Sequence, residues 1–459
     1  MVRKLFRRRH LSHGEGQESL HRALGVLDLT LLGIGAVIGA GIFVLTGVAA
    51  ATQAGPGLFL SFIVAGAACA LTALIYAELS SSIPFAGSAY TYTYASLGEL
   101  PAWLIGWVLI LEYGVASAAV SIGWSGYLGN LFGSTGFYLP AELTHAPGDG
   151  GVMNLPAALI ILAVSTVLAL GIRQGSRLNS GIVAIKLSVL ALFIIVAVGH
   201  VNPANWHPFL PFGWSGVMAG AAYIFFAYIG FDAVSTAAEE AKNPQRDVPR
   251  GILYSLGVCT ILYMVVSLLL TGVLSYTRLN VPDPVAFAMT SVGAVNVARL
   301  ISIGAIAGLT SVLLVLLYGQ SRIFFSMSRD GMLPELFSRV HPRFRSPVVV
   351  TLATGIIIAC VAAFTPIQRV AELVNMGTLS AFTLVALGAL VMRRTHPDLQ
   401  RPFRAPFMPW TSVLAMAFCL FLIAHLSRVT FVGFGIWTVI GLVIYFAYSR
   451  HRSVMAKAE

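Results

Sequence analysis

The sequence predicts an all-α integral membrane protein with twelve transmembrane helices, two of them broken in mid-membrane. Three observations carry that expectation. The 459 residues are 57% hydrophobic and only 10% charged, with a mean hydropathy of +0.84, whereas soluble domains run near 25% charged. Twelve apolar stretches reach or approach the roughly 20 residues that a helix needs to cross a bilayer. Lys and Arg alternate between the connections in the sense that fixes a topology.

The stretches are 28–53, 57–82, 98–131, 154–172, 178–199, 214–240, 249–276, 293–328, 347–365, 370–393, 409–427 and 430–449. With the N-terminus inside, 23 Lys and Arg fall on or near the inner side and four (Arg278, Arg299, Arg369, Arg428) on the outer side; Lys186 lies within a span. A missed or extra helix would scramble this asymmetry, so both termini are expected in the cytoplasm. The net charge of +10 therefore reads as topology and attraction to anionic membrane lipid, not as a nucleic-acid surface. Residues 1–27 are polar and basic, and no removable signal peptide is expected in them.

Cys69, Cys259, Cys360 and Cys419 all lie in apolar runs and read as small buried hydrophobes. No CxxC or HExxH pattern is present. The sequence thus assigns no metal, no cofactor and no enzymatic chemistry. The longest outer connection, 132–153, is rich in Gly and Pro, which leaves no room for a large soluble domain.

The first span reads Asp28-Leu-Thr-Leu-Leu-Gly33-Ile-Gly35-Ala-Val-Ile-Gly39-Ala40-Gly41-Ile-Phe43. Each glycine costs a helix interior roughly 1 kcal/mol relative to Ala. Non-helical backbone at membrane depth is tolerated only where it is buried in protein or lines a cavity. The span is therefore expected to unwind at Gly39-Ala40-Gly41. The amides that open its outer half would attract a carboxylate, and the carbonyls around Val37 and Ile38 an ammonium. Close helix packing through small residues is the alternative, since Gly35 and Gly39 are four apart.

The sixth span, Phe225-Phe226-Ala227-Tyr228-Ile229-Gly230-Phe231-Asp232, offers a second break. Phe226, Ala227 and Ile229 would add carbonyls facing the first. Two breaks five spans apart fit a five-plus-five inverted repeat with a ligand held between them. Together the breaks can recognise a zwitterionic α-amino acid through backbone alone. Phe226 and Phe231 would then serve as occluding lid and pocket wall, or else as ordinary packing.

Lys186 sits in an apolar run of the fifth span. An intramembrane Lys is a functional candidate by default, and taking an amine out of water makes its proton easier to lose. The alternative is a side chain snorkelling to the inner surface. Glu112, mid-way along the third span, is either a contact for the ligand amine or a buried interhelical hydrogen bond. Asp232 either faces the cavity or caps a half-helix.

Three motifs in order resemble the amino acid–polyamine–organocation (APC) superfamily, specifically the bacterial permeases similar to cationic amino acid transporters. They are Gly33-Ile-Gly-Ala-Val-Ile-Gly-Ala-Gly-Ile-Phe43; Phe225 to Asp232 continuing through Glu239-Glu240-Ala-Lys-Asn243-Pro244-Gln-Arg246-Asp-Val-Pro249; and Gly319-Gln-Ser-Arg-Ile-Phe-Phe-Ser-Met-Ser-Arg329-Asp330-Gly331-Met-Leu-Pro334. The resemblance implies the five-plus-five fold with two additional C-terminal helices. It implies a substrate carboxylate on Gly39, Ala40 and Gly41, and a substrate amine on the carbonyls of Ile38, Phe226, Ala227 and Ile229, with Glu112 nearby. Phe226 matches the gate aromatic. Lys186 matches a fifth-helix lysine whose amine takes the place of sodium, which implies proton coupling. Leu316 falls where the side-chain subsite is expected, and a Leu wall there favours small apolar side chains.

The expected organisation is a cytoplasmic basic tail (1–27), a single transporter domain (28–449) and a cytoplasmic C-terminal tail (450–459). Repeat one covers about 28–199, repeat two about 214–393, and helices 11 and 12 about 409–449. The expected function is proton-coupled symport of small neutral L-amino acids across the plasma membrane by alternating access. Cationic amino acid transport, amino acid exchange and a non-transporting amino acid sensor are the rivals. No accessory subunit is assigned.

Overall fold

A computed structural model of the chain describes residues 24–83, 88–171, 176–344 and 346–453. The basic tail through residue 23, Arg173, Arg345 and Lys457 lie outside the described residues. All regular elements among the described residues are helical; the one β-type pairing is an isolated bridge between Leu24 and Ala241.

Each apolar stretch read from the sequence is occupied by helix, with ends a few residues from those expected. The first forms α1 (Val26–Val37) and, after a break, α2 (41–54), which alternates between π and α geometry. A Gly55-Pro56-Gly57 turn leads into α3 (Leu58–Ser82). Then come α4 (Ser88–Ser96), α5 (Glu99–Gly133), α6 (Leu155–Ala169) and α7 (Ser176–Val198). The second half holds α8 (Gly213–Ile224), the short α9 (Ala233–Thr236), α10 (Pro244–Val273), α11 (Pro284–Ser291) and α12 (Val295–Arg329). The chain continues through α13 (Val348–Phe364), α14 (Ile367–Thr395), α15 (Trp410–Ala424) and α16 (Arg428–Ile444). Among the described residues, eight helical runs are long and apolar enough to cross a membrane, and four shorter apolar helices accompany them.

The short α4 and α11 were not foreseen, because nine and eight residues fall below the length that hydropathy can register. Both hold connections against the bundle. The connection before α11 packs on α5 and α2: a Cβ on Gly126 would lie 2.5 Å from Pro282, and one on Gly47 would lie 2.3 Å from Pro284. At the opposite end, buried Glu78 of α3 accepts from Arg393 Nε (2.8 Å) and from the Ala405 amide (2.8 Å), with Arg401 Nε 3.5 Å away.

Around the bundle, α16 is held to α5 by three tryptophans. The Trp107 indole donates to the Trp437 carbonyl (2.8 Å), and the Trp437 indole returns a bond to the Trp107 carbonyl (3.0 Å). Their rings stack 4.5 Å apart, and Trp103 donates to the Gly441 carbonyl (3.0 Å). The outward face of α16 is apolar and exposed, with Val429, Val432, Ile436, Val439 and Val443 each more than half accessible. A face of that kind suits lipid.

Candidate functional site

The first helix does break, slightly earlier and more tightly than its glycines suggested. Helical geometry ends at Val37, Ile38 is extended (φ −74°, ψ 98°), and the helix resumes at Ala40. Only Ile38 and Gly39 lie outside it. The second break is longer. After α8 the chain makes one 3₁₀ turn at Phe225–Tyr228, passes through extended Ile229 and turns at Gly230, whose φ of +114° suits a residue without Cβ. The turn is also tight, since a Cβ on Gly230 would lie 2.9 Å from the Ala36 carbonyl oxygen.

The breaks meet at Gly41 and Ala227. A Cβ on Gly41 would stand 2.3 Å from the Ala227 Cα, so this glycine permits backbone contact between the half-helices. Close packing, held open as the alternative reading of the glycines, explains this one. Gly39 has ordinary room, with Val312 3.5 Å from where its Cβ would be.

The carbonyls that end α1 are capped from two other helices. Lys186 of α7, with no exposed surface, donates through Nζ to the Gly35 oxygen (2.8 Å) and the Ile38 oxygen (2.9 Å). Its stem lies against Gly308 of α12, where a Cβ would come within 2.9 Å. Full burial removes the snorkelling alternative. Tyr263 of α10 donates to the Val37 oxygen (2.9 Å). The last carbonyls of a helix have no intrahelical partner, and here each of these three has a side chain instead. The Ile38 carbonyl, expected to receive the ligand amine, therefore has one lone pair in use.

The end of α8 is capped in a similar way. Asn375 of α14, itself fully buried, donates through Nδ2 to the carbonyls of Ala222 (2.8 Å) and Tyr223 (2.7 Å). Sequence reading missed both Asn375 and Tyr263. An amide in the middle of a span is a detectable signal; a tyrosine, one of 15 in the chain, is not.

A cavity of about 140 Å³ lies on the α1 side of the Gly41–Ala227 contact, bounded by α1, α5, the 229–233 segment and α12. Glu112, Ile229, Asp232, Val312 and Leu316 are among its walls. Glu112 is 5% exposed, and its Oε2 finds no hydrogen-bond partner among the described residues. A buried carboxyl oxygen left in that state carries an uncompensated desolvation cost, so the cavity is chemically suited to an incoming donor.

Of the expected site residues, Glu112, Ile229 and Leu316 line this cavity. Ile38 and Gly39 form the break beside it, and Ala40 and Gly41 open the helix that follows. Ala227 makes the contact with Gly41, and neither it nor Phe226 lines the cavity; Phe226 is 7% exposed, with its carbonyl accepting from the Ile229 amide. Phe231 is packed in an aromatic cluster with Tyr76 and Phe382 (centroids 5.9 and 5.3 Å away) and is not among the residues lining the cavity.

A second, larger cavity of about 630 Å³ lies on the α2 side of the breaks, among the 138–154 connection, α5 and residues 280–283. Asp283 borders it and is 8% exposed. Burial pushes its carboxyl up to about 7, against the opposing hydrogen bond from Asn130.

Residues 24–448 match the amino acid permease family profile. Over 458 residues, 99% of each chain, the protein is 52% identical to a methylthioribose transporter of Bacillus subtilis. It is also 52% identical over 443 residues, 95% of each chain, to the branched-chain amino acid permease BcaP of the same organism. Identity to the vacuolar cationic amino acid transporter 4 of Arabidopsis thaliana is 41% over 400 residues, 85% of this chain and 66% of that one. A multi-pass chain with two broken helices meeting over a buried cavity, matched along almost its whole length, belongs to the amino acid permease family of the APC superfamily.

Proposed function

We propose that the protein is a secondary active transporter carrying small neutral L-amino acids across the plasma membrane, coupled to protons and working by alternating access. In this reading twelve helices span the membrane with both termini cytoplasmic, as a five-plus-five inverted repeat in a single domain (28–449) followed by two further helices. The observation that carries it is the meeting of two broken helices above a cavity of about 140 Å³ that holds a buried carboxylate with an orphaned oxygen. Ligand pockets for drug-sized molecules run from roughly 300 Å³ upward, so this one suits a small solute.

The substrate carboxylate would meet the amides of Gly39, Ala40 and Gly41. The amine would meet the carbonyls at Ile38, Phe226, Ala227 and Ile229, and Glu112. Phe226 would act as the gate. Lys186 would carry the coupling proton, because its bonds to Gly35 and Ile38 tie protonation to the position of α1. The cavity on the α1 side, with Gly41 closed on Ala227, fits a conformation open toward the cytoplasm.

A second reading, transport of cationic amino acids, is favoured by one observation. Asp232 and Glu112 line the cavity together with Leu316, so an acidic end-point does exist beside the Leu wall. Uptake of labelled alanine, leucine and arginine into proteoliposomes, with and without an inward pH gradient, separates the readings. Alanine or leucine accumulation that requires the gradient is the expected result. Uptake indifferent to pH but dependent on internal amino acid would replace symport with exchange. Binding without flux would make the protein a sensor.

A further inference from the structure

The capping of the two half-helices is the same construction made twice with different chemistry. Lys186 lies 151 and 148 residues beyond the carbonyls it caps, Gly35 and Ile38. Asn375 lies 153 and 152 residues beyond the carbonyls it caps, Ala222 and Tyr223. In each half, a fully buried nitrogen donor from the helix that closes the half holds the carbonyl end of its broken helix.

We infer that Asn375 is the positioning counterpart of Lys186: it fixes the α8 half of the sixth helix to α14 through bonds that no proton can weaken. The proposal rests on the transporter reading of the site and adds to it a division of labour between the two breaks. A lysine ammonium makes charge-assisted bonds, about twice as strong as those of the neutral amine. The grip on α1 therefore depends on the proton. An amide donates equally at every physiological pH, so the grip on α8 does not. The orphaned Oδ1 of Asn375 fits a side chain present for its N–H pair. Asp offers no donor at all when ionised.

The surroundings permit this contrast. The titratable group close enough to Lys186 to interact with it is Cys259 of α10. Facing Asn375 are Tyr223 of α8, whose own neighbours are Glu372 of α14 and Asp149 of the 138–154 connection.

Two measurements test the inference. In proteoliposomes, Asn375→Ala should raise KM about tenfold, the loss of a buried hydrogen-bond pair. Asn375→Gln, which keeps the donors, should recover part of it. Asn375→Asp should gain a new pH dependence, active when the carboxyl is protonated and failing as pH rises. Wild-type kinetics in Asn375→Ala, or a wild-type pH profile in Asn375→Asp, would overturn the assignment.

Should those variants not fold, hydrogen–deuterium exchange on the unmodified protein decides. After correction for intrinsic rates, protection of residues 38–43 should weaken from neutral to alkaline pH, while that of 225–229 holds. Equal change at both breaks overturns the proposal. Because exchange requires no substrate flux, wild-type protein that fails to transport yet keeps this asymmetry would sink the transport reading and leave the inference standing.

Discussion

The side-chain nitrogen of Lys186 stands 2.9 Å from the carbonyl oxygen of Ile38, at the point where the first helix stops being a helix. A donor inserted at a break caps carbonyls that the helix itself leaves without a partner. Lys186→Met should leave the protein folded and reduce pH-driven alanine accumulation to the level without a gradient, a fall of at least about tenfold if the charge-assisted bonds carry the coupling. Concentrative uptake at the wild-type level in this variant would remove Lys186 from the coupling step.

Glu112 offers an orphaned oxygen to the same cavity. A hydrogen bond to a charged group is worth about 1.5–3 kcal/mol. Glu112→Gln should therefore weaken amino acid binding roughly tenfold to a hundredfold, as read by ligand-induced thermal stabilisation at several concentrations. Unchanged affinity would mean that the carboxylate serves packing alone.

Leu316 shares the cavity wall with Asp232 and Glu112. Leu316→Ser should open room beside two carboxylates and raise arginine uptake relative to alanine by about tenfold, a gain typical of freeing a side-chain subsite. An unaltered substrate profile would place the side-chain subsite elsewhere.

Asp283 lies in the connection between α10 and α11, and burial holds its carboxyl up near 7. In the unfolded chain the group titrates near 4. Between those values the folded state binds the extra proton, so the stability this provides is full at acidic pH and is lost as pH rises through about 7. Wild-type melting temperature should fall by several degrees across that window, and Asp283→Asn should flatten the curve. A slope that survives the substitution would assign the dependence to another group.

How much of this was legible in the letters depends on the kind of residue. The helices followed from hydropathy and from the Lys and Arg alternation, because lipid imposes a single rule along the whole chain. Lys186 was legible because a lone amine in an apolar run has few innocent explanations. Its burial and its two carbonyl partners required coordinates. The glycines were ambiguous from the start: Gly39 falls in the break of the helix, while Gly41 serves contact with Ala227. Phe231 was read as a pocket wall on its nearness to Gly230, and the turn there directs it to Tyr76 and Phe382. Asp232, one residue further on, reaches the cavity. A turn of unknown hand does not reveal which neighbour faces inward.

The tryptophan pairing of α5 and α16 bears on how the protein is made. Trp107 and its partner Trp437 are 330 residues apart. At about 5–20 residues per second of synthesis, the Trp107 indole waits roughly 17–66 seconds for the carbonyl that will accept its hydrogen bond. During that interval it stands in the membrane without its final partner. Until α16 is made, the face of α5 that carries Trp103 and Trp107 lacks the helix that covers it. A chain stalled just before α16 should therefore leave the Trp103 and Trp107 face of α5 without its covering helix, which protease sensitivity of the stalled chain would detect.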